Sequence, residues 1–254
     1  MFQDDFNAVI SAAKTKLKLL SDNPAGYFIA SMLAGAFVGF GVLLAFTIGG
    51  MLTGLPYAKV VMGLSFCVAL NLVIIAGAEL FTGNMFVMTS GIMRKTARAG
   101  QAVKLLALCY MGNWIGSVLL ALVFVGTGLA SGLTAEFMAA SSAAKMSVPF
   151  FPLLLRGTLC NTLVCLAVWS AFRCKTESGK MLMVLMCIFA FLTTGFEHSI
   201  ANMTLLTISL LAPAGENVTL GGYFYNILTV TLGNMLGGVL FAALPYHVIS
   251  REKK

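Results

Sequence analysis

Six long runs of apolar residues alternate with short polar connections along the chain. They occupy positions 27–53, 60–93, 105–130, 148–172, 181–211 and 221–249. A helix needs about 20 consecutive apolar residues to cross the hydrocarbon core of a bilayer, and each run is longer than that. The pattern therefore predicts an all-α integral membrane protein with six transmembrane helices.

The second and fifth runs are poorly suited to forming one straight helix each. Residues 60–93 would extend about 51 Å as a continuous α-helix, whereas the hydrocarbon core is about 30 Å thick. Each run contains a glycine followed two residues later by a glutamate, in GAELFTG (77–83) and in GFEHS (195–199). Irregular backbone at this depth is tolerated only where it is buried in protein or lines a wet cavity. We therefore expect two broken helices whose breaks face each other.

The two halves of the chain resemble each other around these breaks. Three residues of the first break recur 118 positions later, so that Glu79, Asn84 and Met85 correspond to Glu197, Asn202 and Met203. The segment GNWIGSVL (112–119) likewise recurs as GNMLGGVL (233–240). Because three spans are an odd number, a second copy would enter from the opposite face. We predict two inverted repeats with an aquaporin-like protomer, about 27–130 and 148–249, as in many transporters. The alternative is a chance match of the small-residue pairs that pack membrane helices.

The chain begins with a polar segment, residues 1–26, that lacks the continuous apolar stretch of a signal peptide. Apolar residues recur there at helical spacing until SDNP (21–24) breaks the pattern, which predicts an amphipathic helix near the membrane surface. This helix could act as a gate or only cover the end of the bundle. We divide the chain into this cytoplasmic segment, a channel domain at 27–250 and a tail at 251–254.

Basic residues are distributed unequally between the two sides that six spans define. Thirteen of the 16 lysines and arginines fall in the termini and in the connections that share their side. Only Lys59 and Lys145 fall on the other side, and Arg156 lies within the fourth run. Because cytoplasmic loops are enriched in Lys and Arg, we expect a multi-pass cell membrane protein with both termini in the cytoplasm. Topology then accounts for the net charge of +7, and no nucleic acid partner is expected.

The ionisable residues at the breaks are the first candidates for function, because such groups are costly at membrane depth unless paired or facing water. Glu79 and Glu197 correspond, so we expect both to accept hydrogen bonds from exposed backbone amides, or else to transfer protons. His198 corresponds to Leu80, and an imidazole can exchange a proton near neutral pH. No second metal ligand is evident near it, and EHSIA lacks the HExxH spacing. We expect no metal and no cofactor.

Apolar side chains surround this polar centre and are expected to form a constriction; they include Phe66, Leu70, Leu80, Phe81, Phe191 and Phe196. Candidate polar contacts are Thr82, Asn161 and Asn234. Such a constriction stops hydrated ions, whereas a neutral acid crosses more easily. Transient protonation by His198 would therefore lower the barrier for a weak-acid anion. Lys145 would either attract anions from outside or be a solvated loop lysine.

Two other classes of function compete with anion transport. An intramembrane enzyme or sensor could use Glu197 and His198 as acid and base, but the sequence shows no nucleophile motif, and such a site would not need the duplicated Glu79. Permeation of neutral solutes of the aquaporin type would need an NPA tripeptide at each break. The only NPA, at 23–25, precedes the first span. We therefore expect a transport protein and not an enzyme.

Four segments, in their order along the chain, resemble the formate/nitrite transporter family: AELFTGNMF, KMSVPFFPLLLRGTLCNTLVCLAVW, FEHSIANMT and GNMLGG. The resemblance covers nearly the whole chain. It implies a homopentamer with an aquaporin-like fold and one pore in each protomer. It also implies that the substrate is a small monovalent anion of a weak acid. The anion would cross either through a channel or by transport coupled to protons.

The family resemblance assigns roles to individual residues. It implies a central gate of Thr82 and His198, with Leu80 and Phe81 beside that threonine. It implies an outer constriction of Phe66, Leu70 and Phe191, pore asparagines at Asn161 and Asn234, and an outer basic residue at Lys145. Because TLCNTLVCLAVW and FEHSIANMTL are most similar to the nitrite-channel branch, nitrite is the expected substrate, with formate and hydrosulfide as alternatives. Asn84, which follows LFTG, differs from the residue at this position in some members of that branch. The assignment to the nitrite-channel branch therefore stays open.

Overall fold

The computed structural model describes residues 2–250, and every regular element in that range is helical. The tail at 251–254 lies outside the described residues. The first half contains α1 (Gln3–Asp22), α2 (Pro24–Met51), α3 (Ala58–Phe66), α4 (Val68–Asn71), a π-helical segment (Leu72–Gly77), α5 (Phe81–Met93) and α6 (Ala99–Gly126). The second contains α7 (Gly132–Met146), α8 (Phe150–Arg173), α9 (Glu177–Thr194), α10 (Ser199–Leu211), α11 (Leu220–Leu236), a π-helical segment (Gly237–Ala243) and α12 (Leu244–Ile249).

Six of the described helical stretches are long and apolar enough to cross a membrane. They are Pro24–Met51, Ala58–Gly77, Ala99–Gly126, Phe150–Arg173, Glu177–Thr194 and Leu220–Ile249. The shorter helices α5 and α10 follow the second and fifth of these stretches after the breaks. The prediction of six spans with broken second and fifth helices is therefore confirmed.

Glycines allow the first and third spans of each half to pack at very short distance. A Cβ atom on Gly116 of α6 would collide with the carbonyl oxygen of Met32 in α2, and one on Gly237 would collide with that of Thr158 in α8. These two glycines are the corresponding residues of the repeated GN-x-x-G segments. The repeat in the sequence thus reflects the same helix crossing made twice, which supports a duplicated unit over chance similarity.

The two breaks have nearly the same backbone conformation. Gly77 and Gly195 both have φ +82, a left-handed conformation that side chains with a Cβ atom rarely adopt. The residues just before the next helices, Leu80 and His198, are both extended, with φ/ψ of −102/124 and −112/114. The glycines therefore end the first half of each broken helix, and the extended residues lead into the second half.

The structure adds a helix that hydropathy alone did not distinguish from a connection. The helix α7 lies between the third and fourth spans and buries Ala135, Met138, Ala139 and Ser142 on one face. The N-terminal helix α1 is its counterpart in order, since each precedes the first span of its half, and it buries Phe6, Val9, Ile10, Ala13 and Leu20. Each half therefore consists of one amphipathic helix followed by three spans.

Candidate pore and selectivity site

The two breaks meet at a buried contact between Thr82 and His198. Thr82 is the second residue of α5, and His198 immediately precedes α10. Their Oγ1 and Nε2 atoms are 3.0 Å apart, and the two residues are 0% and 4% exposed. This contact joins His198, the ionisable residue that has no counterpart in the first break, to Thr82 beside the first break.

The hydrogen bonds define which nitrogen of His198 carries the proton. Nδ1 accepts a bond from the backbone N–H of Ala201, at 3.1 Å, and so caps the first turn of α10. In a neutral imidazole one nitrogen accepts and the other donates. Nε2–H therefore donates to the hydroxyl oxygen of Thr82. The series of hydrogen bonds from Ala201 through His198 therefore ends at Thr82, whose hydroxyl hydrogen is the last donor.

A narrow apolar constriction lies next to this pair. Its cavity has a volume of about 10 Å³ and is lined by Val38, Phe66, Ala69, Leu70, Leu80, Val164, Ile188, Phe191 and His198. The rings of Phe66 and Phe191 meet edge to face at 5.8 Å, and Phe191 stacks on His198 at 6.0 Å. A cavity needs about 10–15 Å³ to hold one water molecule. The constriction is therefore nearly dry, and His198 is the one polar side chain among the described residues that line it.

Larger cavities lie on either side of the constriction. The Lys145 vestibule, about 320 Å³, contains His198, Phe66 and Phe191 in its wall together with Lys59, Lys145, Arg156 and Glu197. The Lys16 vestibule, about 510 Å³, shares Leu70 and Leu80 with the constriction and also contains Lys16, Lys180 and Glu79. The shared lining residues place the constriction between the two vestibules.

Each vestibule contains a lysine paired with the glutamate of the adjacent break. Lys16 on α1 donates to both carboxylate oxygens of Glu79 at 2.7 Å, and Lys145 on α7 donates to Glu197 Oε2 at 2.7 Å. Asn84 donates to Glu79 and Asn202 to Glu197, at 2.8 and 2.7 Å. The glutamates are 9% and 3% exposed. They therefore accept bonds from side chains, which differs from the expectation that they bind the exposed backbone amides.

Two asparagines bind the backbone of the breaks in place of the glutamates. Asn113 Oδ1 accepts from the N–H of Phe81 at 2.9 Å, and Asn234 Oδ1 accepts from the N–H of Ser199 at 3.0 Å. Their amide groups donate to the carbonyl oxygens of Glu79 and Glu197, at 2.9 and 3.0 Å. Each also donates to a carbonyl oxygen of the first span in its half. Asn234 thus fixes the second break, and its side chain is not a lining residue of the three cavities.

Three other predicted pore residues also lie outside the lining of these cavities, and one of them is the fully buried Thr82. The ring of Phe81 packs edge to face on Tyr110 of α6 at 5.0 Å. Asn161 donates to the carbonyl oxygens of Thr82 and Asn234, at 3.3 and 2.7 Å, so it binds the backbone next to the Thr82–His198 contact. Its Oδ1 is buried and has no hydrogen-bond partner among the described residues.

The sequence reasoning missed several residues of the site. Asn113 was present in the repeated segment and could have been found from its correspondence with Asn234. Lys16 lies in the N-terminal helix, and its spacing there gives no sign of the contact with Glu79. Val38, Val164 and Ile188 line the constriction from three different spans. Within residues 2–250, no group of three or more His, Cys, Asp or Glu residues could hold a metal ion.

An inverted pair of broken helices that meet between two polar cavities defines a membrane channel or transporter. Comparison with known proteins specifies the class. The family model described as "Formate/nitrite transporter" matches residues 3–248. The chain belongs to the formate/nitrite transporter family.

Individual relatives agree with this assignment. The chain is 41% identical to "Nitrite transporter NirC" of Salmonella typhimurium, over 97% of this chain and 91% of that protein. It is 37% identical to "Probable formate transporter" of Methanothermobacter thermautotrophicus, over 86% of each chain. A solved structure described as "FNT family ion channel" matches with a TM-score of 0.93 and 39% identity, over 98% of this chain and 99% of that one. Another, "Pentameric formate channel with formate bound", gives a TM-score of 0.78 and 28% identity over 89% and 96%.

Proposed function

We propose that the protein conducts small monovalent anions of weak acids across the cell membrane, with nitrite as the principal substrate. The observation that carries this proposal is His198, which is 3.0 Å from Thr82 and lines a nearly dry constriction between two vestibules that contain lysines. The similarity to a nitrite transporter at 41% identity supports nitrite. Formate and hydrosulfide are the alternatives within the same chemistry.

Charge and dryness together explain why a weak acid is favoured. The cations of the vestibules attract an anion, but the apolar constriction removes its water, which costs several kcal/mol for a charged group. A strong-acid anion such as chloride must meet that cost as an ion. The anion of a weak acid can accept a proton at the gate and cross the constriction as a neutral molecule.

The hydrogen bonds suggest how His198 takes part as a proton relay. Nε2–H is bonded to the buried hydroxyl group of Thr82, and His198 itself lines both the constriction and the Lys145 vestibule. Only an imidazolium is acidic enough to protonate a weak-acid anion, so Nδ1 must first take up a proton, which breaks its bond to the N–H of Ala201; the ring then gives one proton to the anion and becomes neutral again. Proton supply to the ring is therefore coupled to the first turn of α10, and the rate of proton supply would limit flux at high pH.

We further propose the assembly and topology that the resemblance implies. The protein forms a homopentamer; one similar solved structure is described as a pentameric channel, which supports this assembly. Both termini lie in the cytoplasm, so the Lys16 vestibule opens inward and the Lys145 vestibule opens outward. Residues 1–26 form the cytoplasmic segment, 27–250 the channel domain and 251–254 the tail.

The proposal is tested by anion flux through the purified protein in liposomes. Nitrite, formate, hydrosulfide and chloride are compared at equal gradients and at two pH values. We expect nitrite, formate and hydrosulfide to cross faster than chloride, with nitrite the fastest. If no anion crosses in vesicles that contain folded oligomer, the proposed function is wrong, and an intramembrane enzyme or sensor becomes the better interpretation.

Replacing His198 with Phe tests the relay separately from the pore. The variant keeps an aromatic ring to stack on Phe191 but loses the donor to Thr82 and the cap of α10. We expect pH-dependent flux to fall at least tenfold, which corresponds to about 1.4 kcal/mol, while the oligomer stays intact by size-exclusion chromatography. His247→Gln, at the other histidine, is the control and should keep the flux. Unchanged flux and pH response in His198→Phe would rule out the relay.

A further inference from the structure

The two vestibules are related by the repeat, but Arg156 in one of them has an uncharged counterpart in the other. The carbonyl oxygen of Ala30 in α2 accepts from the N–H of Glu79 at 3.1 Å, and that of Arg156 in α8 accepts from the N–H of Glu197 at 3.3 Å. These are the corresponding bonds of the two halves. The small Ala30 lines the Lys16 vestibule, whereas Arg156 lines the Lys145 vestibule. The Lys145 vestibule therefore has a guanidinium where its counterpart has a methyl group.

The other cations of the vestibules are largely neutralised by carboxylates. Lys145 is paired with Glu197 at 2.7 Å, and Lys16 with Glu79 at the same distance. Lys180 of the Lys16 vestibule is paired with Glu177 at 2.8 Å. Lys59 and Arg156 have no carboxylate partner among residues 2–250. The excess positive charge is therefore concentrated in the Lys145 vestibule.

The position of Arg156 is difficult to explain by packing alone. It lies six residues after Phe150, the first residue of α8, or about 9 Å along the helix axis. A charged side chain this far into a spanning helix is costly unless it faces a wet cavity. The proposed outward orientation also places it on the side where Lys and Arg are depleted in membrane proteins. Its exposed side chain lines the vestibule, so a role toward solutes accounts for its place.

We propose that Arg156 is a docking residue that selects planar anions with two terminal oxygens at the mouth of the Lys145 vestibule. This inference rests on the proposed function. A guanidinium presents two parallel N–H donors that match two oxygens on one centre, a geometry that an ammonium group cannot reproduce. Nitrite and formate both have that bent O–X–O edge, whereas hydrosulfide and chloride have a single acceptor atom. Arg156 therefore separates two groups of anions that the apolar constriction treats alike.

The expected consequence is that the pore has a higher affinity for nitrite and formate at one face than at the other. A docking site cannot change the final distribution of an anion across the membrane, but it lowers the concentration needed for half-maximal flux from its own side. The Lys16 vestibule, with Ala30 at the corresponding position, lacks this site. Nitrite and formate should therefore saturate the pore at lower concentration from one face than from the other.

The experiment measures nitrite, formate, hydrosulfide and chloride currents in planar bilayers that contain the full-length protein in one orientation, with each face supplied in turn. In the native protein, the half-saturating nitrite concentration should differ between the faces. In Arg156→Lys, which keeps the charge and loses the paired donors, we expect nitrite and formate to require about tenfold higher concentration at one face only. Hydrosulfide and chloride should change less than twofold.

A matched control removes the other unpaired cation of the same vestibule. Lys59→Ala should weaken all four anions to a similar extent, because an ammonium group acts on them as a point charge. Equal effects of Arg156→Lys on nitrite and hydrosulfide, or no effect on either, would overturn the docking role while leaving anion conduction intact. If the native protein carries none of the anions, the proposed function itself fails. The two failures are therefore distinguishable.

Discussion

The strongest structural prediction concerns the two asparagines that hold the breaks. Replacing Asn113 or Asn234 with Leu keeps the side chain close to its size and removes three hydrogen bonds in each case. Each change leaves one backbone N–H at a break without its acceptor, at Phe81 or at Ser199. Both asparagines are 0% exposed, so the groups left unpaired are buried and the lost bonds translate into lost stability.

The magnitude follows from the number of bonds. Side-chain hydrogen bonds inside membrane proteins contribute about 0.6 kcal/mol on average, with a maximum near 1.7. An unsatisfied buried donor costs about 1–3 kcal/mol. The two bonds to carbonyl oxygens contribute about 1.2 kcal/mol together, and the orphaned N–H adds about 1–3 kcal/mol, so the total loss is about 3 kcal/mol. For a chain of this size that corresponds to a decrease of about 6–12 °C in the thermal transition.

The assay is the temperature at which the purified oligomer in detergent loses its size-exclusion peak. Asn71→Leu is the matched control, because Asn71 donates only to the carbonyl oxygen of Cys67 within its own span, and its Oδ1 has no partner among the described residues. We expect Asn113→Leu and Asn234→Leu to have similar effects, since their bonds correspond. If either variant unfolds within about 2 °C of the control, the asparagines do not stabilise the breaks as argued.

Two further predictions concern packing and charge. Gly116→Ala and Gly237→Ala should each destabilise the oligomer by about 1–3 kcal/mol, because the new methyl group meets a backbone carbonyl, whereas Gly126→Ala, with no atom within 4 Å, should have no effect. Equal thermal stability of all three variants would contradict the close helix crossing. Lys145→Met should destabilise by about 3 kcal/mol because it leaves Glu197 buried without its partner, and the double variant with Glu197→Gln should recover much of that loss in the same assay. A double variant less stable than Lys145→Met would show that an unpaired charge is not the cause.

The spans, the breaks and the repeat could be predicted because they depend on patterns that are local in the sequence. Run length gives the number of spans, and a glycine followed by a glutamate marks each interruption. The repeated GN-x-x-G segment preserves the helix crossing, since only a glycine fits where two backbones approach so closely. His198 stands out in the same way, because an ionisable residue without a counterpart interrupts an otherwise duplicated motif, whereas its pairing with Thr82 was implied by the family resemblance.

Contacts between distant segments could not be predicted from the same patterns. The pairing of Lys16 with Glu79 joins positions 63 residues apart, and nothing in an amphipathic helix shows which of its lysines points inward. The apolar residues of the constriction, such as Val38, Val164 and Ile188, differ from lipid-facing residues only in their direction. A helix such as α7, with short polar and apolar stretches, has too little hydropathy to be distinguished from a loop.

Residues that recur in both halves stabilise the breaks, whereas residues that occur in one half only are the candidates for function. The lysine–glutamate pairs and the break asparagines occur in both halves, and a duplicated feature serves both breaks equally. His198 in place of Leu80, and Arg156 in place of Ala30, occur in one half only, and both line the Lys145 vestibule. A symmetric scaffold presents the same surface to both sides of a membrane, so any preference for one side must come from such unmatched residues. These two positions, together with Lys59, which has no carboxylate partner among the described residues, are therefore where the two directions of transport become chemically different.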